Sequence, residues 1–151
     1  MKKSKPSAVA RFSSQIMAVV RRIRRESQND AESWARILLL GAIDRSGNRA
    51  TPTELALSAV MRSSNLAAAL RELDEQGLIV RTPDTADKRK VRVALTAQGE
   101  CLLYESRARR ERWLAEAIRA SLTADEQAQL LKAGELLERI AAYDGPSPPM
   151  D

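Results

Sequence analysis

Apolar residues in the middle of the chain recur at the spacing of a helix that is buried on one face. Leu66, Leu70 and Leu73 lie four and three residues apart, so they form one apolar stripe. Ser63 can cap this helix, and Gly77 can end it because glycine adopts a positive φ without a steric cost. The pattern predicts a short amphipathic helix whose polar and small residues face outwards.

A second short helix is predicted directly before it. Residues 51–54, with the sequence TPTE, have the spacing of a capping box, and the proline stands at the first helical position. We expect a helix over residues 52–60 that buries Leu55 and Val60, followed by a break at residues 61–62. The two helices would then form a helix-turn-helix.

Beyond Gly77 the pattern changes from helical to extended. The β-branched runs at residues 78–80 and 91–95 enclose a polar, charged loop, which is typical of a β-hairpin. Residues 49–50 are predicted to add a brief strand against this hairpin. Helix, turn, helix and hairpin in this order predict a winged helix-turn-helix, in a chain that is mainly α with a small β-hairpin.

The outward face of the second helix and the tip of the hairpin carry the chemistry of a DNA reader. Small alanines let the helix lie deep in a major groove, where Asn65 can pair bidentately with adenine. The basic tip can reach the adjacent minor groove. Each feature alone is also typical of a solvated surface, but the combination favours DNA. The predicted DNA-binding residues are Arg62, Ser63, Ser64, Asn65, Ala68, Arg71, Asp87, Lys88, Arg89, Lys90 and Arg92.

Longer helices are predicted on both sides of this module. Residues 7–25 have apolar positions near heptad spacing, and residues 31–44 are apolar on most faces, which places them at the centre of the fold. Thr96 can cap a helix that reaches about residue 121. A second capping box at residues 123–126 opens the last helix.

The first, the fifth and the last helix each carry an apolar stripe that the small winged module cannot cover. Exposed apolar surface of that extent usually marks a partner interface, and a two-fold homodimer is its commonest form. We therefore predict a helical dimerisation region in residues 1–28 and 97–145, a DNA-binding winged helix-turn-helix module in residues 29–96 and a flexible tail in residues 146–151.

Composition narrows the class of partner. A net charge of +5 and a pI near 9.8 favour a polyanion, while an aromatic content of 3% argues against the stacking platforms that bind single strands. The first 25 residues include basic side chains and no acid; they can attract DNA phosphates, although a solvated amphipathic helix is the commoner role. The single cysteine and the absence of a signal peptide or membrane-spanning run predict a soluble cytoplasmic protein without membrane contact.

An enzyme is not expected. The chain has no histidine, the commonest general base at neutral pH and the commonest metal ligand, and one cysteine cannot build a cysteine-rich zinc site. It also lacks a nucleophile elbow and a phosphate-binding glycine loop, so we predict no metal and no cofactor. The alternative to a DNA binder is a winged-helix adaptor that contacts proteins, which would suit the alanine-rich helix but leave the wing charge unexplained.

The central segment resembles the MarR family of transcriptional regulators through five short motifs. They are ELA at residues 54–56, L-x-x-x-G at 73–77, GLIVR at 77–81, D-x-R at Asp87 and Arg89, and VALT-x-x-G at 93–99. The resemblance implies a homodimer with recognition helices in successive major grooves and a wing arginine in each minor groove, Asp87 orienting Arg89. Lys88 departs from the family, which often has arginine there, and the recognition helix is unusually rich in alanine.

Such a dimer would set its two recognition helices about one turn of DNA apart, which predicts a palindromic operator with half-sites about 10 bp apart between centres. The expected action is that of a repressor. Family members commonly bind small aromatic acids or phenols between the dimerisation helices and the winged module, although the residues expected there have the more ordinary alternative role of core residues. Some relatives sense oxidants through cysteine, but we expect Cys101 to be a buried structural thiol. The candidate effector-pocket residues are Met17, Trp34, Leu38, Cys101 and Tyr104.

Overall fold

The computed structural model describes residues 7–27, 34–58, 63–85 and 87–145. Within these ranges the chain is mainly α with a small β-hairpin, which confirms the predicted fold class. Its contacts divide it into two compact units, residues 1–112 and 113–151. None of the helices in the described ranges is long and apolar enough to cross a membrane. The elements are α1 (Ala8–Ser27), α2 (Trp34–Arg45), α3 (Pro52–Ser58), α4 (Ser63–Glu75), β1 (Ile79–Pro83), β2 (Val91–Leu95), α5 (Ala97–Ser121) and α6 (Ala124–Ala141).

Helix α2 lies at the centre of the core of the first unit, as its nearly continuous apolar sequence predicts. Leu39, Leu40 and Ile43 are buried to within 1% of complete burial. Leu55 of α3 and the leucine stripe of α4 pack into the same core, together with inward-facing residues of the hairpin. The predicted faces of both short helices are therefore confirmed. The expected burial of Val60 and the expected break at residues 61–62 lie outside the described residues.

The hairpin is antiparallel, with Ile79 opposite Leu95 and Pro83 opposite Val91. Its first strand begins one residue later and runs three residues further than the predicted range of 78–80. The strand begins later because Leu78 takes part in the C-terminal cap of α4, in which its N–H donates to the carbonyl oxygen of Leu73 over 2.9 Å. The second strand has the predicted bounds.

A single bridge between Ala50 and Val93 confirms the predicted brief strand beside the hairpin. The N–H of Val93 donates to the carbonyl oxygen of Ala50 over 2.9 Å. Asn48, with φ at +59°, turns the chain into this bridge and accepts the N–H of Leu95 with its side-chain oxygen at 3.0 Å. The edge of the wing is thereby tied to the end of α2.

Caps set the ends of α4 and the start of α5. Gly77 has a φ of +69°, which confirms its predicted role at the end of α4. The hydroxyl of Thr96 donates to the carbonyl oxygen of Gly77 at 2.6 Å and accepts the N–H of Gly99 at 3.1 Å. Thr96 is thus the predicted cap of α5. Ser63, expected to cap α4 from outside, is instead its first helical residue.

The outer helices keep their apolar side chains exposed. In α1 Val9 is 77% exposed, and Phe12, Ile16 and Val19 are also accessible. Helix α6 begins with the predicted capping box, in which Thr123 and Glu126 exchange hydrogen bonds, and none of its residues is buried. Each helix therefore presents an apolar face without a partner within its own unit.

Candidate nucleic-acid interface

Helix α4 places its predicted groove-facing side chains in solvent. Because Leu66, Leu70 and Leu73 occupy one face, the 3.6-residue period turns Ala68 and Arg71 outwards, and both are exposed, as is Asn65. Ser63 and Ser64 lie in the first turn of α4, where only their backbone is described, and Arg62 lies outside the described residues.

The first turn of α4 contains no acid, which favours the approach of a polyanion to this end of the helix. At its other end, Asp74 pairs with Arg81 of β1 over 3.2 Å. The outward face is therefore small and polar near the helix start. It carries Arg71 further along and becomes acidic towards the end that meets the hairpin.

The tip of the wing presents three exposed cations, Lys88, Arg89 and Lys90. Its turn is closed by the main chain, because the N–H of Lys90 donates to the carbonyl oxygen of Asp87 over 2.8 Å. The carboxylate of Asp87 accepts the main-chain N–H of Arg89 at 3.1 Å. The contact between Asp87 and Arg89 thus runs through the backbone, which sets where the Arg89 side chain starts.

Arg92 differs from these tip residues because its guanidinium is paired with other groups of the protein and only a third of its side chain is exposed. Its Nε pairs with the carboxylate of Asp84, and its Nη1 donates to the carbonyl oxygen of Arg49 at 2.7 Å and lies 3.7 Å from Glu54. The hydrogen bond to Asp84 raises the pKa of Arg92 above its ordinary value. The sequence contained no signal for these partners, which come from three separate segments.

Glu54 has two roles at the base of the wing. Its carboxylate accepts the N–H of Thr51 at 2.7 Å, and the hydroxyl of Thr51 accepts the N–H of Glu54 at 3.3 Å, which confirms the predicted capping box of α3. The pKa of Glu54 is lowered, first by the backbone hydrogen bond from Thr51 and to a smaller extent by the charge of Arg92.

Two further arginines, absent from the sequence-based list, extend the basic surface. Arg45 and Arg49 are exposed and line a cavity of about 430 Å³ that also contacts Glu54 and Arg92. Residue type alone could not single them out, because exposed arginines at a helix end, such as Arg45, or in a loop, such as Arg49, are commonplace. Their position beside the wing makes them candidate phosphate contacts.

The candidate effector residues do not form one lining in the part of the chain that is described. A cavity of about 470 Å³ includes Cys101 but none of the other four. Met17, Leu38 and Tyr104 are about half exposed and so lie outside the core of the single chain, whereas Trp34 is half-buried. The lining of this cavity consists of Arg36, Gln76, Leu78, Gln98, Cys101, Leu102 and Glu105.

Cys101 is exposed, so the expectation of a buried thiol is wrong. Its Sγ lies 3.4 Å from a carboxylate oxygen of Glu105, and this hydrogen bond raises the pKa of the thiol. A raised pKa lowers the fraction of thiolate at neutral pH, which is the reactive form. The position near the start of α5 therefore does not activate Cys101.

Helices α3 and α4 bury their apolar faces in the core and expose their polar faces, and a basic hairpin tip lies in the same unit. This arrangement is that of the winged helix-turn-helix DNA-binding proteins. Residues 33–90 match the model of the MarR family. The chain belongs to this family, whose members are transcriptional regulators and not enzymes.

Known proteins agree with this assignment. A structure described as a candidate transcriptional regulator from Pseudomonas aeruginosa is 46% identical, with a TM-score of 0.80, and the match covers 91% of this chain and 94% of that one. The HTH-type transcriptional repressor YetL of Bacillus subtilis is 28% identical over 75% of this chain and 67% of its own. BpsR of Bordetella bronchiseptica, whose DNA binding is regulated by 6-hydroxynicotinic acid, shares the fold at 18% identity and a TM-score of 0.63, over 87% of this chain and 98% of its own.

Proposed function

We propose that the protein is a homodimeric repressor that binds a palindromic operator in double-stranded DNA and releases it when a small aromatic acid or phenol binds. The observation that carries the proposal is the exposed outer face of α4 beside an exposed basic wing tip in one unit. The cytoplasmic location expected from the sequence belongs to the proposal because chromosomal DNA is the partner. Membership of the MarR family favours this function over that of a protein-binding adaptor.

Homodimerisation is supported by the apolar surface that the outer helices leave exposed. Large apolar side chains along one face of α1 and along α6 contact solvent, at a cost of about 25 cal/mol for each Å² of apolar surface that a partner would cover. A second copy of the chain offers the same faces and closes the contact by two-fold symmetry. We assign residues 1–28 and 97–145 to dimerisation, residues 29–96 to DNA and residues 146–151 to a tail.

The proposed readout combines few base contacts with a larger number of backbone contacts. Asn65 and the alanine at 68 would face base edges, the latter against a thymine methyl group. The exposed cations of the wing and of the α2 end, among them Arg45 and Arg49, would neutralise phosphates. Because direct readout is sparse, DNA shape would contribute to specificity.

Regulation by an effector is supported by the cavity at Cys101, whose volume falls within the range of small-molecule sites. Its wall combines the apolar side chains of Leu78 and Leu102 with the cation of Arg36. Leu78 and Leu102 would contact the ring of an aromatic ligand, and Arg36 would bind its carboxylate. Glu105 in the same lining would accept a phenolic hydroxyl. The repressor YetL and the ligand-regulated BpsR support the mode of action by analogy.

Fluorescence anisotropy with genomic DNA fragments over a salt series tests the proposal, with light scattering to measure the mass. We expect a dimer whose affinity falls steeply as salt rises, because counterions are released from the neutralised phosphates. Lys88→Gln should weaken binding. Lys132→Gln, which removes the same charge on α6 outside the proposed DNA-binding module of residues 29–96, should not. A monomer that ignores double-stranded DNA at low salt would overturn the proposal.

The effector is tested separately with a thermal-shift screen of aromatic acids on the purified protein. A compound that raises the melting temperature should also release the DNA, and Arg36→Gln should abolish both effects. If compounds stabilise the wild type and the Arg36→Gln variant equally, the cavity is not the site.

A further inference from the structure

We propose that Arg92 is a positioning residue, which holds the wing tip in place for DNA and does not contact DNA itself. Its charge and its place in the wing had suggested a DNA contact. The inference rests on the proposed role of Arg89 at the wing tip, and it goes further by naming the residues that fix this arginine in space.

The first support is the set of partners that surround the guanidinium of Arg92. Two carboxylates, those of Asp84 and Glu54, face this one cation, and a carbonyl oxygen takes a further N–H. The side chain of Asp84 is only 11% exposed, so the pair with Arg92 is partly shielded from water. One positive charge between two negative charges presents no net attraction to a phosphate. The basic tip residues, by contrast, stand in solvent.

The second support is a chain of hydrogen bonds that runs from Arg92 to Arg89. The carboxylate of Asp84 binds Arg92 with one oxygen and accepts the N–H of Asp87 with the other at 2.9 Å. Asp87 in turn accepts the N–H of Arg89 at 3.1 Å. The N–H of Asp84 also donates to the carbonyl oxygen of Lys90 at 2.8 Å, which closes the loop. The orientation of Asp84 therefore determines the course of the tip, and Arg92 holds that orientation.

The third support is where Arg92 is anchored. It reaches from β2 to the main chain at Arg49 and to Glu54 in the first turn of α3. The end of the wing itself consists of only two paired strands, and an isolated two-stranded hairpin is marginally stable in water. Arg92 thus links a weakly supported ribbon to the helical body, and so fixes the offset between the wing tip and the reading helix α4. A preorganised tip loses less conformational entropy when it binds.

Whether one substitution strengthens or weakens DNA binding distinguishes a positioning role of Arg92 from a direct contact. Asp84→Asn keeps the size and one acceptor oxygen but removes the charge that binds Arg92. If Arg92 were a DNA contact, this change would free the guanidinium, remove a negative charge near the phosphates and strengthen binding. A positioning role predicts weaker binding, because the loop loses its anchor.

The experiment measures operator affinity for Arg92→Lys, Asp84→Asn and Arg89→Ala, and for each of the first two combined with Arg89→Ala. Lysine keeps the charge but lacks the planar fork that reaches three acceptors. We expect Arg92→Lys and Asp84→Asn each to weaken binding on the order of tenfold, which is about 1.4 kcal/mol. Both effects should vanish in the Arg89→Ala background. Tighter binding by Asp84→Asn, or losses that persist in that background, would overturn the inference.

Amide hydrogen exchange on the free protein supplies a readout that does not depend on DNA. Arg92→Lys should speed exchange at residues 87–90 and leave α4 and α2 unchanged, which also shows that the variant folds. Unchanged exchange at the tip would contradict positioning. If the DNA-binding proposal failed, the wild type would not bind operator at all, whereas the exchange result would still decide the role of Arg92.

Discussion

Gly99, at the residue scale, marks a close approach between α5 and the main chain that precedes β1. It lies in the first turn of α5 against the main chain of Leu78, and a Cβ at this position would overlap the carbonyl group of Leu78. The same carbonyl oxygen accepts the N–H of Thr96 over 3.1 Å. The glycine of the motif VALT-x-x-G therefore has a steric reason to be a glycine.

We expect Gly99→Ala to lower the free energy of unfolding by about 1–3 kcal/mol, because the backbone must shift to admit the methyl group. Gly134→Ala is the matched control. Apart from the backbone of α6 itself, no atom of the described residues lies within 4 Å of a Cβ at that position, and alanine should stabilise the helix by up to about 1 kcal/mol. Urea denaturation at one fixed protein concentration measures both. Equal effects of the two substitutions would contradict the close approach.

Glu126 makes the stability of α6 depend on acid. Hydrogen bonds from Thr123, above all from its backbone N–H, lower the pKa of Glu126. A carboxylate whose folded-state pKa is lowered stabilises the protein above its unfolded-state pKa, and this contribution disappears as the pH falls through the folded-state value. We expect the melting temperature of the wild type to exceed that of Glu126→Ala at pH 7. The difference should shrink as the pH falls below 4.5, the ordinary pKa of a glutamate.

Thermal denaturation at several pH values measures this difference. Glu135→Ala, which removes an exposed carboxylate of the same helix outside the capping box, serves as the control. A gap between wild type and Glu126→Ala that stays constant down to pH 3 would contradict the capping role of the charged form.

At the scale of elements, one face of α4 packs into the core and the opposite face is the one proposed to contact DNA. The leucine face is buried, and the opposite face keeps Asn65, Ala68 and Arg71 in solvent. We expect Asn65→Ala to cost about 1–3 kcal/mol of DNA binding and to relax specificity at one base position. Titrations with operators that carry single base-pair changes measure this; an equal loss on every sequence would make Asn65 a phosphate contact instead.

The wing is the second element that is proposed to bind DNA. Arg89→Ala should weaken operator binding strongly, because it removes the arginine proposed to enter the minor groove. Asp87→Ala should reproduce part of the loss, because it removes the acceptor of the Arg89 N–H. Anisotropy titrations of both variants test this, and unchanged affinity in both would refute the assignment of the wing.

At the scale of the whole molecule, the exposed apolar face of α1 is the surface that we propose contacts a second copy of the chain. Ile16 and Phe12 lie one turn apart on this face, and both are accessible. We expect Ile16→Glu to shift the protein towards a monomer and to weaken operator binding, because a monomer reads only one half-site. Ser14→Glu adds the same charge to the opposite face of α1 and should leave the dimer intact.

Analytical ultracentrifugation over a range of protein concentrations measures the monomer–dimer balance of both α1 variants. If Ile16→Glu and Ser14→Glu dimerise equally, the apolar face of α1 is not part of the interface.

The sequence by itself determined those features that depend on neighbours within about four residues. The stripe of α4, the capping boxes at Thr51 and Thr123, the cap at Thr96 and the bounds of β2 all follow from local periodicity and local hydrogen bonds. The exposure of Asn65, Ala68 and Arg71 follows from the same period, so much of the candidate DNA face was predictable.

Tertiary structure alone decided which side chains meet across long stretches of chain. Arg92 is bound by groups at positions 49, 54 and 84. Gly99 contacts Leu78. No pattern in the sequence predicts either set of contacts. For the same reason the exposure of Cys101 was not foreseen, since a thiol at the start of a helix is buried or open according to what packs against it. Local patterns select the elements, whereas the packing of distant segments decides which charges remain for DNA.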